Sequence, residues 1–257
     1  MSLQNAEIES YLASGTLPEG AKVMYANAPG SDFTQTVHVG CAFQLSNLAV
    51  SDFRKSRFDS VLFHQVDLSG SIMDGAEFVD CEFLGCNLSQ IAASGAKFTR
   101  CTFLRSNLLG AYLEKAHFEE CTFESCGISS LVTQTIAAGA VFDQVTFRSS
   151  SLECIDADCA HFLACKMDNV SMYGAILSGA NIYLSVLESV NLSAASLDAS
   201  TIEDSFISGN LDKVDLSMAV LKHSDLTETF GTSFFTDETE FIESALAPQL
   251  LTKKETA

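Results

Sequence analysis

Positive charge is scarce in this chain: 14 Lys and Arg stand against 33 Asp and Glu. Between residues 149 and 252 the only bases are Lys166, Lys213 and Lys222. A surface so poor in bases cannot hold nucleic acid directly, because phosphates need Lys and Arg to displace their counterions. No apolar run is long enough to span a membrane. The opening MSLQNAEIESYLASG lacks both the basic residues and the apolar stretch of a secretory leader, so a cytoplasmic location is expected. There is no CxxC spacing for zinc, and no glycine-rich phosphate loop or nucleophile elbow. Catalysis, a cofactor and a metal are therefore not expected.

Also missing are the two usual hydrophobic periods, near 3.6 for a helix and 2 for a strand. What replaces them is a strict beat of five. Phe43, Leu48, Phe53, Phe58, Phe63 and Leu68 lie on one five-residue grid. Two residues before each grid position stands a small or β-branched residue, as in Cys41, Ser46, Ser51, Ser56, Val61 and Val66. Residue types return after 20 positions: Phe43, Phe63, Phe83, Phe103 and Phe123 form one series, and Phe58, Phe78, Phe98 and Phe118 another. Four fives that restore the same residues after 20 predict a coil with four short sides. Stacked at strand spacing, roughly 4.8 Å, such coils place residues 20 apart directly above one another. The Phe series then become core ladders, and Cys81, Cys101 and Cys121 one ladder of compact fillers beside them.

This pattern, in stretches such as GANIYLSVLESVNLSAASLD at 179–198, resembles the pentapeptide-repeat family. The resemblance covers about 200 residues and implies a right-handed quadrilateral β-helix, an all-β solenoid with short helical segments at its ends. Function follows less directly, because one scaffold serves many roles. The quinolone-resistance branch of the family implies one role, a DNA mimic that occupies the DNA-binding saddle of gyrase.

Three segments are expected: a helical or irregular cap at 1–30, the repeat at 31–228, and a cap helix with tail at 229–257. The N-terminal helix is read from Leu3, Ala6, Tyr11 and Leu12, and the C-terminal one from Asp237 as N-cap, Glu240 three residues on, and Pro248 as stop. Phe234, Phe235, Phe241, Ile242 and Leu246 cap the open end or join two chains in a homodimer. The grid slips by one residue at 129–141 and again at 208–210. Each slip is either a bulge at a corner or a functional protrusion.

Cys41, Cys81, Cys86, Cys101, Cys121, Cys126 and Cys165 occupy inward positions, whereas Cys154 and Cys159 point outward on neighbouring sides of one coil. The histidines His38, His64, His117, His161 and His223 share no column with a carboxylate or a nucleophile, and His38 stands on the grid itself. Acids recur one residue after the grid in the later repeats: Asp143, Glu153, Asp158, Asp168, Glu188, Asp198 and Glu203. They make one half of the rod an acidic outer surface, either to bind the basic groove of a protein partner such as gyrase or simply to prevent aggregation. The competing readings are a general interaction scaffold or translocated bacterial effector, binding through Arg54, Lys55, Arg57 or the aromatic C-terminal segment, and an enzyme with a reactive low-pKa thiol at Cys154 or Cys159.

Overall fold

The computed structural model describes residues 10–11, 17–129 and 135–248. Each five-residue unit is a short extended segment closed by one residue in the left-handed region, for example Leu45 (φ 51°), Val50 (φ 53°), Lys55 (φ 57°) and Ser60 (φ 55°). Regular left-handed corners every five residues turn the chain through a square. At about 1–2 kcal/mol for each non-glycine residue they are costly, and they persist because every side is bonded to the coils on either side. Thr102 N–H donates to the Cys81 carbonyl at 2.9 Å, and Arg105 N–H to the Glu124 carbonyl at 2.9 Å.

All strand pairing among the described residues is parallel, and it keeps register except between Gly127 and Ser129 and between Leu187 and Val190. We number the four sides in chain order. Side 1 runs through Val23, Phe43, Phe63, Phe83, Phe103, Phe123, Phe147, Met167, Leu187 and Ile207. Side 4 runs through His38, Phe58, Phe78, Phe98, Phe118, Phe142, Phe162, Ile182, Ile202 and Leu221. Sides 2 and 3 pair mostly through single bridges, such as Asn87 with Asn107 and Ala92 with Tyr112, with short strands in a few coils, such as Val214–Asp215 against Phe234–Phe235. All the predicted core residues, Cys81, Cys101 and Cys121 included, are buried. Phe83, Phe103 and Phe123 stack with ring centroids 4.7 and 4.5 Å apart and planes within 3°. The two Phe columns meet edge to face, Phe98 against Phe103 at 5.6 Å and 65°, which is the geometry the ring quadrupoles favour.

His38 heads the side 4 column, stacked on Phe58 at 4.8 Å, with its Nε2 2.9 Å from the Thr36 hydroxyl.

The solenoid is longer than the sequence suggests. Lys22–Met24 pairs with Ala42–Gln44, so the repeat begins before residue 31; Val23 and Ala28 hold the grid positions that Phe and Leu fill later. Of the expected N-terminal helix, Ser10 and Tyr11 are helical and the rest lies outside the described residues. The C-terminal helix is replaced by strands Glu240–Ile242 and Ala245–Leu246, parallel to the preceding coil. Phe241 and Leu246 are five apart because they continue the ladders of Leu221 and Leu226.

The register slips twice, the second time at the Gly209 corner (φ 126°). Phe118 pairs with Phe142, 24 residues on, where 20 is the rule. The additional residues fall between Ile128 and Thr135, and Thr135 resumes the inward small position with its hydroxyl bonded to the Leu108 carbonyl at 3.2 Å. At the second slip Val190 pairs with Gly209, only 19 residues on.

Candidate functional site

The seven predicted inward cysteines are buried and all nine are free thiols. Burial pushes the Cys86 and Cys126 thiols up to about 11 and Cys165 to about 12. Cys101 is raised by its contacts with Cys121 and Cys81, and then by burial. These sulfurs donate to backbone carbonyls, as Cys121 does to Phe98 at 3.2 Å, and so behave as core fillers. Cys159 is exposed and Cys154 half-buried. The neighbouring Asp158 carboxylate raises the Cys159 thiol above its ordinary value, the opposite of what a catalytic thiolate requires. In Asp158→Asn, Cys159 should therefore alkylate several-fold faster near pH 8, with the buried thiols unreactive until unfolding. A pH–rate series of iodoacetamide labelling would check this, and an unchanged Cys159 rate would show that Asp158 does not control the thiol.

The two halves of the rod treat charge differently. In the first half several bases are neutralised locally: Arg54 bonds Asp52, Arg57 bridges Asp59 (3.2 Å) and Glu77 (3.0 Å), Arg100 bonds Asp80 (2.7 Å), and Lys115 lies 3.4 Å from Glu114. These exposed pairs contribute little to stability, and they compensate only part of the charge, since 15 acids stand against 8 bases up to residue 140. Beyond residue 140, Lys222 bonds Glu203 and His223 lies between Asp204 and Glu243, while Asp143, Glu153, Asp158, Asp168, Glu188 and Asp198 form no salt bridge among the described residues.

The acids do not make one continuous sheet of charge. Asp168 and Glu188 are register partners on side 1, both exposed. Asp158 and Asp198 belong to side 3, Glu153 to side 2, and Asp143 and Glu203 to side 4. The spacing of one residue past the grid sets outward direction, whereas the side is set by position within the 20. Asp198 is held by the Ser178 and Ser196 hydroxyls, which keep its carboxyl below the usual range. Ser171 bonds Glu153 at 2.8 Å.

One grouping departs from the sequence reading. His223 does share a column with carboxylates: its Nδ1 is 3.4 Å from Asp204 and its Nε2 3.2 Å from Glu243. Side-chain ligand atoms of Glu203, Asp204 and His223 lie within 4.8 Å of one another. Lys222 pairs with Glu203, and a carboxylate faces each imidazole nitrogen of His223. The deletion near 208 changes the step from 204 to 223 to 19 residues, which hides the column from a search at intervals of 20.

At the C-terminal end Phe234 is buried, Phe241 and Leu246 pack on the core, and Phe230, Phe235 and Ile242 remain exposed. The last coil thus closes the core only in part.

No curated protein matches this sequence. Among solved structures, a trypsin-treated form of QnrB1, a plasmid-mediated fluoroquinolone resistance protein, superposes with a TM-score of 0.52 at 16% identity over 68% of this chain and 90% of that one. HetL, a pentapeptide repeat protein involved in heterocyst differentiation regulation from the cyanobacterium Nostoc sp. strain PCC 7120, gives 0.38 at 17% identity, covering 93% and 94% of the two chains. A mannuronic acid specific polysaccharide lyase from human gut microbiota gives 0.41 at 10% identity, covering 94% of this chain and 81% of that one. The family profile described as pentapeptide repeats matches in eight copies at residues 62–100 and 86–124. Residues 62–124 thus match the pentapeptide-repeat family, and the five-residue unit of that stretch extends in both directions along the described solenoid.

Proposed function

We propose that this chain is a non-enzymatic binding protein whose acidic half enters the basic groove of a DNA-handling protein, with DNA gyrase the first partner to test. The observation that carries this reading is the uneven distribution of charge: up to residue 140 there are 15 acids and 8 bases, several of them paired, whereas beyond it 18 acids face 6 bases, and those from Asp143 to Asp198 make no ion pair among the described residues. On side 1 the register partners Asp168 and Glu188 lie one strand spacing apart, roughly 4.8 Å, and offer a basic surface a short run of the negative charge that phosphates present. Such an encounter is steered by charge and weakens with salt. The fluoroquinolone-resistance neighbour motivates gyrase as the partner; its likeness carries the fold alone.

Purified gyrase should be inhibited in a supercoiling assay as this protein is titrated in, more strongly at low than at moderate salt. Asp168→Asn with Glu188→Gln should weaken inhibition at least tenfold with an unchanged melting temperature, because both side chains are exposed. Asp158→Asn with Asp198→Asn, on the opposite side, should change it less. Equal inhibition by wild type and both pairs would remove mimicry. No inhibition at micromolar protein would favour the general scaffold, to be pursued by affinity capture from the native cell.

A further inference from the structure

The acidic half carries an apolar patch that solubility does not require. It lies on the corner between sides 4 and 1, where Tyr183, Leu184 and Val186 are 39%, 53% and 38% exposed. Register continues it to both neighbouring coils. Leu163 pairs with Tyr183, and Ala164 N–H donates to the Tyr183 carbonyl at 2.8 Å. On the other side Phe206 pairs with Val186. Leu163, Ala164 and Phe206 are half-buried, so three successive coils, about 10 Å along the axis at strand spacing, present one apolar strip.

Carboxylates surround this strip. Asp143 is the register partner of Leu163 on the coil before. Glu203 is the partner of Tyr183 on the coil after, with Asp204 next to it. Asp168 and Glu188 flank it on side 1, two residues beyond Lys166 and Val186. Three bases stand among these acids: Lys166, Arg148 as the register partner of Asp168 on the coil before, and Lys222 bonded to Glu203. Pure phosphate mimicry needs only the charges. A tyrosine beside two aliphatic side chains, with acids around them, has the make-up of an interface centre: an aromatic anchor within a charged rim.

We infer that this corner is the docking site for a Lys/Arg-rich segment of a protein partner that also carries two or three apolar side chains, so that the partner's bases meet Asp143, Asp168 and Glu188 while its apolar groups cover Tyr183, Leu184 and Val186. The inference rests on the reading of the acidic half as a binding surface for a basic partner, and it fixes both where that partner sits and which chemistry it needs. The acids set the rate of encounter and its salt dependence; the apolar strip sets how long the complex lasts.

The chain contains no tryptophan, so a Trp-bearing probe reports binding without background. The probe is a synthetic twelve-residue peptide in which Leu and one Trp are interleaved with Lys. Its emission should shift to the blue and saturate with the wild-type protein. A triple variant, Tyr183→Ser, Leu184→Asn and Val186→Thr, should bind it at least tenfold more weakly at the same melting temperature. Asp168→Asn with Glu188→Gln should reduce affinity and flatten its salt dependence. Equal affinity for wild type and the triple variant, or no binding by the wild type at millimolar peptide, would overturn the assignment. The gyrase assay separates this inference from the reading it refines. If gyrase is unaffected but the peptide discriminates the triple variant, the patch stands and the gyrase reading falls. If gyrase is inhibited equally by wild type and the triple variant, the gyrase reading stands and the patch falls.

Discussion

Phe103→Ala should lower the unfolding free energy by about 3–5 kcal/mol, the range for an aromatic side chain removed from a close-packed core. Phe103 is fully enclosed, stacked between Phe83 at 4.7 Å and Phe123 at 4.5 Å, and met edge-on by Phe98 at 5.6 Å. Truncation opens a cavity in the middle of a ladder, and the neighbouring rings cannot move in to fill it because each is tied to its own coil by strand pairing. Glu124→Ala, one residue past the Phe123 position and exposed, should change stability by no more than about 0.5 kcal/mol. Urea denaturation of both variants, together with hydrogen exchange of the amides from residue 82 to 124, is the measurement. A solenoid contacts only its neighbours along the axis, so lost protection should be greatest in the coils on either side of Phe103. Similar costs for the two variants would mean that the inward and outward sets are misassigned.

The ladders could be read from the sequence because the same residue types return at a fixed interval, and inwardness follows from that interval alone. The buried cysteines were legible for the same reason: each stands two residues before a grid position. The ends were harder. Val23 and Ala28 are too small to announce a repeat that elsewhere uses Phe and Leu, yet Val23 is buried against the same ladder. Asp237, Glu240 and Pro248 imitate helix punctuation, but Phe241 and Leu246 keep the interval of five, and in the fold Glu238 supplies a left-handed corner at φ 57°. The distribution of the acids over four sides was present in the numbering once the longer and shorter coils are allowed for. The clustering of Tyr183, Leu184 and Val186 was not, because each occupies a position the repeat leaves free, and only the corner brings them together.

Gly209→Ala should be the most damaging single methyl that can be added to this chain, at about 3–5 kcal/mol. At this coil one residue performs two tasks. Counting from Ile207, position 209 is the corner; counting back from Leu211, it is the inward small position. Its φ of 126° lies in a region that a side chain rarely adopts. A Cβ built there would lie 2.0 Å from the Val190 carbonyl oxygen and 2.7 Å from the Val190 nitrogen. Those atoms belong to the backbone of the paired strand, so relief requires breaking the ladder. Gly75→Ala is the control: it is also a corner, at φ 64°, with nothing within 4 Å of the added carbon, and should cost about 1 kcal/mol. If the clash comes from the missing residue, inserting one serine between Ser208 and the altered position should restore the 20-residue step, separate the two tasks, and recover most of the loss. Thermal and urea unfolding of the three variants decide it. A Gly209→Ala protein as stable as Gly75→Ala would mean that the shortened coil relaxes without strain, and an insertion that fails to rescue would place the strain in the contact with Val190 rather than in the length of the coil.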